Sequence, residues 1–142
     1  MEDLLMEPTA EQTREPEPSL TPTILVVEDN RDIRDSLKSL LELLGHRVEL
    51  APDGVEGVRR ALELRPRVAL VDIGLPRLDG YQVARRLRAA LGRDILLVAY
   101  TAYGDPDDRL RALQAGFDLH LVKPLDWGLF APWLADAMHG DA

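Results

Sequence analysis

Five polar side chains follow directly on apolar runs of the kind that forms buried strands. They are an adjacent acid pair, a third acid, a hydroxyl and a lysine: Glu28, Asp29, Asp72, Thr101 and Lys123. Taken singly, each has an ordinary structural explanation as a helix cap, a turn residue or a solvated strand end. Their common position is the signal, because the carboxyl ends of parallel strands lie together at one edge of a sheet. The sequence therefore predicts a polar site at that edge.

The predicted site needs positive charge. Three carboxylates at close range repel one another by about 4 kcal/mol per pair at an effective dielectric constant near 20. Lys123 and a bound cation are the groups that can offset this repulsion. Oxygen ligands without sulfur or imidazole favour a hard ion, so Mg²⁺ is the natural candidate. A carboxylate beside Mg²⁺, with an ammonium and a hydroxyl directed at it, is equipped to accept a phosphoryl group.

From Thr23 onward, apolar runs of strand length alternate with segments of helical periodicity. The runs predict five strands, over 24–27, 46–51, 68–71, 95–100 and 117–122. The second run has mixed polarity, which is typical of an edge strand. Five strand–helix units predict an α/β fold in which the strands are parallel and helices cover both faces of the sheet.

Residues with strong positional preferences mark the predicted helices. Three aspartates are suited to cap the starts of the second, fourth and fifth helices: Asp53, Asp105 and Asp126. The fourth helix is weakly apolar, since it offers mainly Leu110 and Leu113. Pro132 lies inside the last helix, where its missing N–H predicts a kinked or irregular first turn.

Composition limits the classes of protein to which the chain can belong. Its 142 residues suit one domain, and its formal net charge of -8 argues against direct binding of nucleic acid. No apolar stretch approaches the length of a membrane span. The sequence also lacks the basic segment followed by a long apolar run that marks a secretory signal. The chain has no cysteine, which fits a reducing compartment. We therefore expect a cytoplasmic protein without membrane or nucleic-acid contacts.

The start of the chain differs in composition from the rest. Residues 1–22 hold six acids against one arginine, together with four of the ten prolines. Such a segment cannot bury enough apolar surface to order itself. We expect a flexible, acidic, proline-rich tail over 1–22, a folded domain over 23–139 and a short C-terminal end over 140–142.

The motifs at the strand ends resemble those of the receiver domain of two-component response regulators. They lie in the segments 25–30, 71–80, 101–103 and 121–124. The resemblance covers residues 23 to about 138. It implies a flavodoxin-like fold, which is a doubly wound, five-stranded parallel sheet with strand order 2-1-3-4-5.

The resemblance also implies a role for each polar residue at the strand ends. Asp72 would be the phosphoacceptor, with Lys123 and Thr101 assisting the transfer. A cis peptide bond would precede Pro124. The implied Mg²⁺ site comprises the side chains of Glu28, Asp29 and Asp72 and the backbone carbonyl of Gly74.

A second group of positions bears on the response to phosphorylation. The resemblance implies that Thr101 is the switch hydroxyl and that His120 stands at the switch aromatic position. Histidine there occurs in receivers similar to those of hybrid sensor kinases. Gly74 and Tyr103 depart from the usual pattern at positions that, in this family, influence how fast the phosphoryl group hydrolyses.

We expect a stand-alone receiver, because the chain ends at Ala142. The resemblance implies a phosphorylatable signalling domain rather than an enzyme. It would take a phosphoryl group from a sensor histidine kinase or a histidine phosphotransfer protein and assist its own dephosphorylation. A protein partner would contact the fourth helix, fifth strand and last helix.

Two alternatives remain open. One is an interaction module that resembles a receiver but is never phosphorylated. The other is a Mg²⁺-dependent phosphatase that resembles the haloacid dehalogenases, although the adjacent acids Glu28 and Asp29 lack the spacing of that family.

Overall fold

The computed structural model describes residues 23–102 and 104–139. The segments 1–22 and 140–142, as well as Tyr103, lie outside the described residues. Within the described ranges the strands are β1 (Thr23–Val27), β2 (Arg47–Ala51), β3 (Val68–Asp72), β4 (Leu96–Thr101) and β5 (Leu119–Val122). The α-helices are α1 (Arg31–Leu43), α2 (Gly54–Leu64), α3 (Gly80–Leu91), α4 (Pro106–Ala115) and α5 (Trp127–Met138).

The strands form one parallel sheet in the order β2-β1-β3-β4-β5. This confirms the predicted order and the edge position of the second strand. Neighbouring strands end level with one another, since Val27 pairs with both Ala51 and Val71, and Asp72 pairs with Tyr100. The side chains that follow these ends therefore share one edge of the sheet.

An apolar layer covers each face of the sheet. Helices α2, α3 and α4 contribute to the layer on one face, and α1 and α5 contribute to the layer on the other. Successive residues of β4 alternate between them, so that Leu97 and Ala99 face the first layer whereas Val98 and Tyr100 face the second. This double covering explains why the central strands are apolar at nearly every position.

Each of these α-helices follows a side chain that accepts a hydrogen bond from a backbone N–H of the first turn. The capping residues are Asn30, Asp53, Asp79, Asp105 and Asp126. The three predicted aspartate caps are therefore confirmed. No helix in the described part of the chain is long and apolar enough to cross a membrane.

Helix α4 packs through its smallest side chains and leaves its leucines exposed. Leu110 and Leu113 are 53% and 54% exposed, and the buried residues of the helix are Ala112 and Ala115. Small side chains allow α4 to approach its neighbours closely, so tertiary packing decides which face of this weakly apolar helix is buried. The two exposed leucines are left on the molecular surface.

The expected irregularity at Pro132 is wrong for the first turn of α5. The helix continues from Trp127 to Met138, and the N–H of Phe130 donates to the carbonyl of Asp126 at 2.9 Å. Pro132 lies in the second turn of α5. Because proline has no N–H, the carbonyl of Gly128 receives no helical hydrogen bond from this position. Gly128 is exposed, so that carbonyl lies at the surface of the helix rather than in the core.

Two glycines allow the connection between β3 and α3 to lie close to the start of α2 and to the backbone at the end of β3. A Cβ atom at Gly54, at the start of α2, would clash with the backbone carbonyl of Leu78. A Cβ atom at Gly80 would lie 2.6 Å from Ile73 Cα and 2.7 Å from the carbonyl oxygen of Asp72. Both glycines are therefore required by close backbone contacts beside the end of β3.

The Gly80→Ala substitution is expected to lower the free energy of unfolding by about 3 kcal/mol, because backbone atoms cannot move away as a side chain can. Urea unfolding measures the change. Gly74→Ala is the matched control, since a Cβ there would meet only Asp72 Oδ1, at 3.7 Å. Equal unfolding midpoints for the two variants would contradict the steric requirement at Gly80.

Candidate functional site

Glu28 is held at the end of β1 with its carboxyl group inside the molecule. Its N–H donates to the carbonyl of Ala51 at 3.1 Å, which extends the pairing of β1 with β2. The residue is 1% exposed, and Oε2 accepts a hydrogen bond from the N–H of Asn30 at 3.0 Å. The guanidinium of Arg34 donates to the Glu28 carbonyl at 3.0 Å. The neighbouring Asp29 is exposed, so only one acid of the pair is buried.

Asp72 is the last residue of β3, and its two carboxylate oxygens have different surroundings. Oδ1 accepts a hydrogen bond from the N–H of Gly74 at 3.0 Å. Oδ2 lies 3.5 Å from Lys123 Nζ. One carboxylate oxygen from each of Glu28, Asp29 and Asp72 lies within 4.8 Å of the others. The structure thus brings the three predicted acids into one cluster.

Lys123 extends from the end of β5 towards this cluster. Its Nζ is 3.5 Å from Asp72 Oδ2 and 3.6 Å from Glu28 Oε1, so one ammonium serves two buried carboxylates. Its N–H donates to the carbonyl of Thr101 at 2.8 Å, which continues the pairing of β4 with β5. The peptide bond between Lys123 and Pro124 is cis, as predicted.

The acidic cluster suits a hard divalent cation. Glu28 Oε1 is buried and accepts no hydrogen bond from any described residue, although Lys123 lies 3.6 Å away. A buried carboxylate oxygen that lacks a hydrogen bond is unfavourable unless a cation approaches it. Asp29 is the exposed member of the cluster, so an ion can reach the cluster from solvent. The ligand role of the Gly74 carbonyl stays a prediction.

Burial and the neighbouring charges shift the pKa values of two groups at the site. Burial, together with the charge of Asp72, raises the pKa of the Glu28 carboxyl from 4.5 to about 7, against the opposing effects of the Asn30 N–H and Lys123. Burial tends to lower the pKa of the Lys123 ammonium, but Asp72 and Glu28 outweigh it, so this pKa is raised. The lysine therefore remains charged at neutral pH, whereas the Glu28 carboxyl titrates near neutral pH.

The raised pKa of Glu28 predicts that stability in the absence of metal depends on pH. The folded protein binds this proton more tightly than the unfolded chain, so the contribution is present below about pH 4.5 and is lost as pH rises through about 7. We expect the free energy of unfolding in EDTA to fall by roughly 1–3 kcal/mol between pH 5 and pH 8. Urea unfolding of the unaltered protein and of Glu28→Gln at pH 5 and pH 8 measures this fall in the free energy of unfolding.

Glu28→Gln is expected to flatten this pH dependence, because the amide does not titrate. Glu63→Gln, which alters an exposed acid on α2, is the matched control and should keep the slope of the unaltered protein. The same slope in Glu28→Gln would show that other groups cause the dependence.

The two predicted switch residues lie on the same face of the sheet. His120 on β5 pairs in register with Ala99 on β4, and Thr101 lies two residues further along β4. Since side chains alternate along a strand, Thr101, Ala99 and His120 all point to the face covered by α2, α3 and α4. Thr101 is buried and His120 is half-buried. Their role as a switch pair stays a prediction, and Tyr103 lies outside the described residues.

Two residues at the site were missed by the sequence interpretation. The ring centroid of Tyr100 lies 4.7 Å from Lys123 Nζ, which is the distance of a cation–π contact. Arg34 holds the carbonyl of Glu28 from the first turn of α1. An aromatic residue directly before a strand-end hydroxyl was the available signal for Tyr100, whereas Arg34 gave none beyond its helical position.

Comparison with known proteins gives a consistent result. Residues 24–130 match the family described as the response regulator receiver domain. The chain is 43% identical over 101 residues to the response regulator MprA of Mycobacterium sp. strain KMS, a match that covers 71% of this chain and 44% of MprA. It is 42% identical over 104 residues to the transcriptional regulatory protein PrrA of Mycobacterium leprae, covering 73% of this chain and 44% of PrrA.

A solved structure shows the same relationship. The receiver domain of the sensor histidine kinase PA1611 from Pseudomonas aeruginosa PAO1, which has a magnesium ion coordinated in its active site cleft, is 37% identical. The superposition has a TM-score of 0.75 and covers 84% of this chain and 98% of that domain.

The extent of these matches differs between the two kinds of relative. This chain spans less than half the length of the two curated mycobacterial relatives but nearly all of the PA1611 receiver domain. The expectation of a stand-alone receiver therefore stays a prediction. The fold, the cluster at the strand ends and the match over 24–130 together establish that the chain belongs to the response regulator receiver domain family.

Proposed function

We propose that this receiver accepts a phosphoryl group on Asp72 with the help of Mg²⁺ and signals through the resulting change of conformation. The observation that carries the proposal is the convergence of three carboxylates and the Lys123 ammonium at one end of the sheet. A purely structural ion pair would need one acid for one lysine. Here two acids are buried beside the ammonium and a third borders them.

The residues of the chain have separate parts in the transfer. A carboxylate oxygen of Asp72 attacks the phosphorus of a phosphohistidine, so that a P–O bond forms while the P–N bond breaks. The electron pair of the broken bond stays on the imidazole nitrogen, which is then protonated. Lys123 neutralises charge on the phosphoryl oxygens, and the Thr101 hydroxyl donates a hydrogen bond to one of them.

The proposed metal site uses Glu28, Asp29, Asp72 and the Gly74 carbonyl. When bound, Mg²⁺ supplies further positive charge for the oxygens of the transferring group. The magnesium ion in the similar PA1611 receiver supports this assignment. Gly74 has no side chain and is exposed, so water can approach that side of Asp72. That access is consistent with a domain that also assists loss of its own phosphoryl group.

The response would begin at Thr101. A phosphoryl group on Asp72 attracts the hydroxyl towards the strand ends, and His120 on the same face of the sheet then moves into the vacated space. The surface formed by α4, β5 and α5 would change as a result. The exposed side chains of Leu110, Leu113 and Val122 give this surface an apolar character that suits a protein partner.

The proposed phosphodonor is a sensor histidine kinase or a histidine phosphotransfer protein in the cytoplasm. The likeness to the receiver of a sensor histidine kinase supports a place in such a pathway. The net charge of -8 favours a protein partner over nucleic acid as the direct contact.

Incubation with Mg²⁺ and acetyl phosphate, followed by intact-mass measurement, tests the proposal. We expect the mass to increase by one phosphoryl group. Borohydride reduction converts an aspartyl phosphate to homoserine, so peptide sequencing should find homoserine at position 72. A label on another residue would contradict the assignment of Asp72. No label with either acetyl phosphate or a phosphorylated histidine phosphotransfer protein would favour the unphosphorylated interaction module.

A further inference from the structure

The ammonium of Lys123 is not fixed by short hydrogen bonds. Its distances to Asp72 Oδ2 and Glu28 Oε1 are 3.5 Å and 3.6 Å, at or beyond the outer limit for such bonds. The lysine side chain is a flexible four-carbon stem that ends in a point charge. The two carboxylates alone therefore define the position of the ammonium only loosely.

Tyr100 supplies a third contact, and its own side chain is held in place by burial and by strand pairing. The residue is 7% exposed, and its side chain belongs to the apolar layer formed with α1 and α5. Its backbone pairs in register with Asp72, and its carbonyl accepts a hydrogen bond from the N–H of Ile73 at 3.2 Å. The ring is thus fixed relative to the phosphoacceptor, and the Lys123 ammonium lies 4.7 Å from its centroid.

We propose that Tyr100 is a positioning residue, whose ring holds the Lys123 ammonium beside Asp72 through a cation–π contact. The inference rests on the proposed phosphorylation of Asp72. The face of an aromatic ring carries negative electrostatic potential and no charge, so it attracts the ammonium without competing with a phosphoryl group for it. The lysine is thereby held in place before the phosphodonor arrives, which lowers the reorganisation needed during transfer.

Three variants separate the ring from its hydroxyl and from its bulk. Tyr100→Phe keeps the ring and should phosphorylate like the unaltered protein. Tyr100→Leu keeps an apolar side chain but loses the ring face, and we expect its rate with acetyl phosphate to fall by roughly 3- to 10-fold. Tyr81→Leu is the matched control, because it removes a buried tyrosine whose ring contacts Arg111 at 4.2 Å, away from Lys123.

A spectroscopic measurement tests the contact without phosphorylation. The ring current of Tyr100 should shift the Lys123 ε-methylene protons upfield in the NMR spectrum of the unaltered protein and of Tyr100→Phe. The shift should be absent from Tyr100→Leu and retained in Tyr81→Leu. An unshifted lysine in the unaltered protein would overturn the contact, whether or not Asp72 accepts a phosphoryl group.

The kinetic measurement tests the positioning role. If the unaltered protein is labelled and Tyr100→Leu is labelled at the same rate, the positioning role is overturned while the proposed function stands. A slower rate in Tyr81→Leu equal to that in Tyr100→Leu would also overturn it, since loss of a buried ring would then explain the effect. Slow labelling of Tyr100→Leu with recovery in Tyr100→Phe is the expected result.

Discussion

Replacement of Asp72 by asparagine is expected to abolish phosphorylation while leaving the fold intact. The amide has nearly the same shape as the carboxylate, and its oxygen can still accept the hydrogen bond from the N–H of Gly74. It lacks a nucleophilic oxygen, however, so no acyl phosphate can form. Removing one of the clustered negative charges also relieves repulsion with Glu28, so the metal-free variant should unfold at no lower a urea concentration than the unaltered protein.

The measurement is the intact mass after incubation with acetyl phosphate and Mg²⁺, made in parallel with urea unfolding. Asp105→Asn is the matched control, since it alters a helix-capping aspartate outside the acidic cluster and should be labelled normally. Full labelling of Asp72→Asn would mean that another residue is the acceptor, and the proposed mechanism would be wrong.

Removal of Mg²⁺ is expected to have an effect of similar size. With excess EDTA, the positive charge of the metal is lost, and the incoming phosphoryl oxygens meet the charge of Asp29 and Asp72 with compensation mainly from the Lys123 ammonium. Phosphorylation should fall to background and return when Mg²⁺ is added in excess of the chelator. Undiminished labelling in EDTA would count against a metal at this site.

A ligand variant makes the metal prediction specific to the cluster. Asp29→Asn removes charge from an exposed position, so it should weaken Mg²⁺ binding by about tenfold or more without lowering stability. Titration calorimetry measures the affinity. Asp32→Asn, an exposed acid in the first turn of α1, is the matched control and should bind Mg²⁺ as the unaltered protein does.

The parts of the molecule that the sequence predicts well depend on local patterns. Apolar runs, helical periodicity and aspartate caps predict the elements, and the sheet then brings Glu28, Asp72 and Lys123 together. The sequence pattern at the end of β1 did not predict whether Glu28 or Asp29 is buried. Adjacent side chains near a strand end point in opposite directions, and only the packed structure shows which of them faces inward.

Contacts between distant segments could not be predicted in the same way. The cation–π contact joins Tyr100 on β4 with Lys123 just beyond β5, and it depends on the pairing of these strands and on the conformation of the lysine side chain. The exposure of Leu110 and Leu113 shows the same limit, because an alanine face of α4 packs inward instead. The prediction at Pro132 relied on a general property of proline and took no account of its position beyond the first turn.

The close glycine contacts have a consequence for the direction in which a signal can travel. Gly54 and Gly80 lock the connection after β3 against α2 and against the backbone of Asp72, so this wall of the site has no room to give way. On the other side of Asp72 lie β4 and β5, which are joined through α4, and the buried residues of α4 are Ala112 and Ala115. If Asp72 accepts a phosphoryl group, as proposed, we expect the resulting displacement to pass through β4, α4 and β5, while the connection after β3 acts as a fixed support.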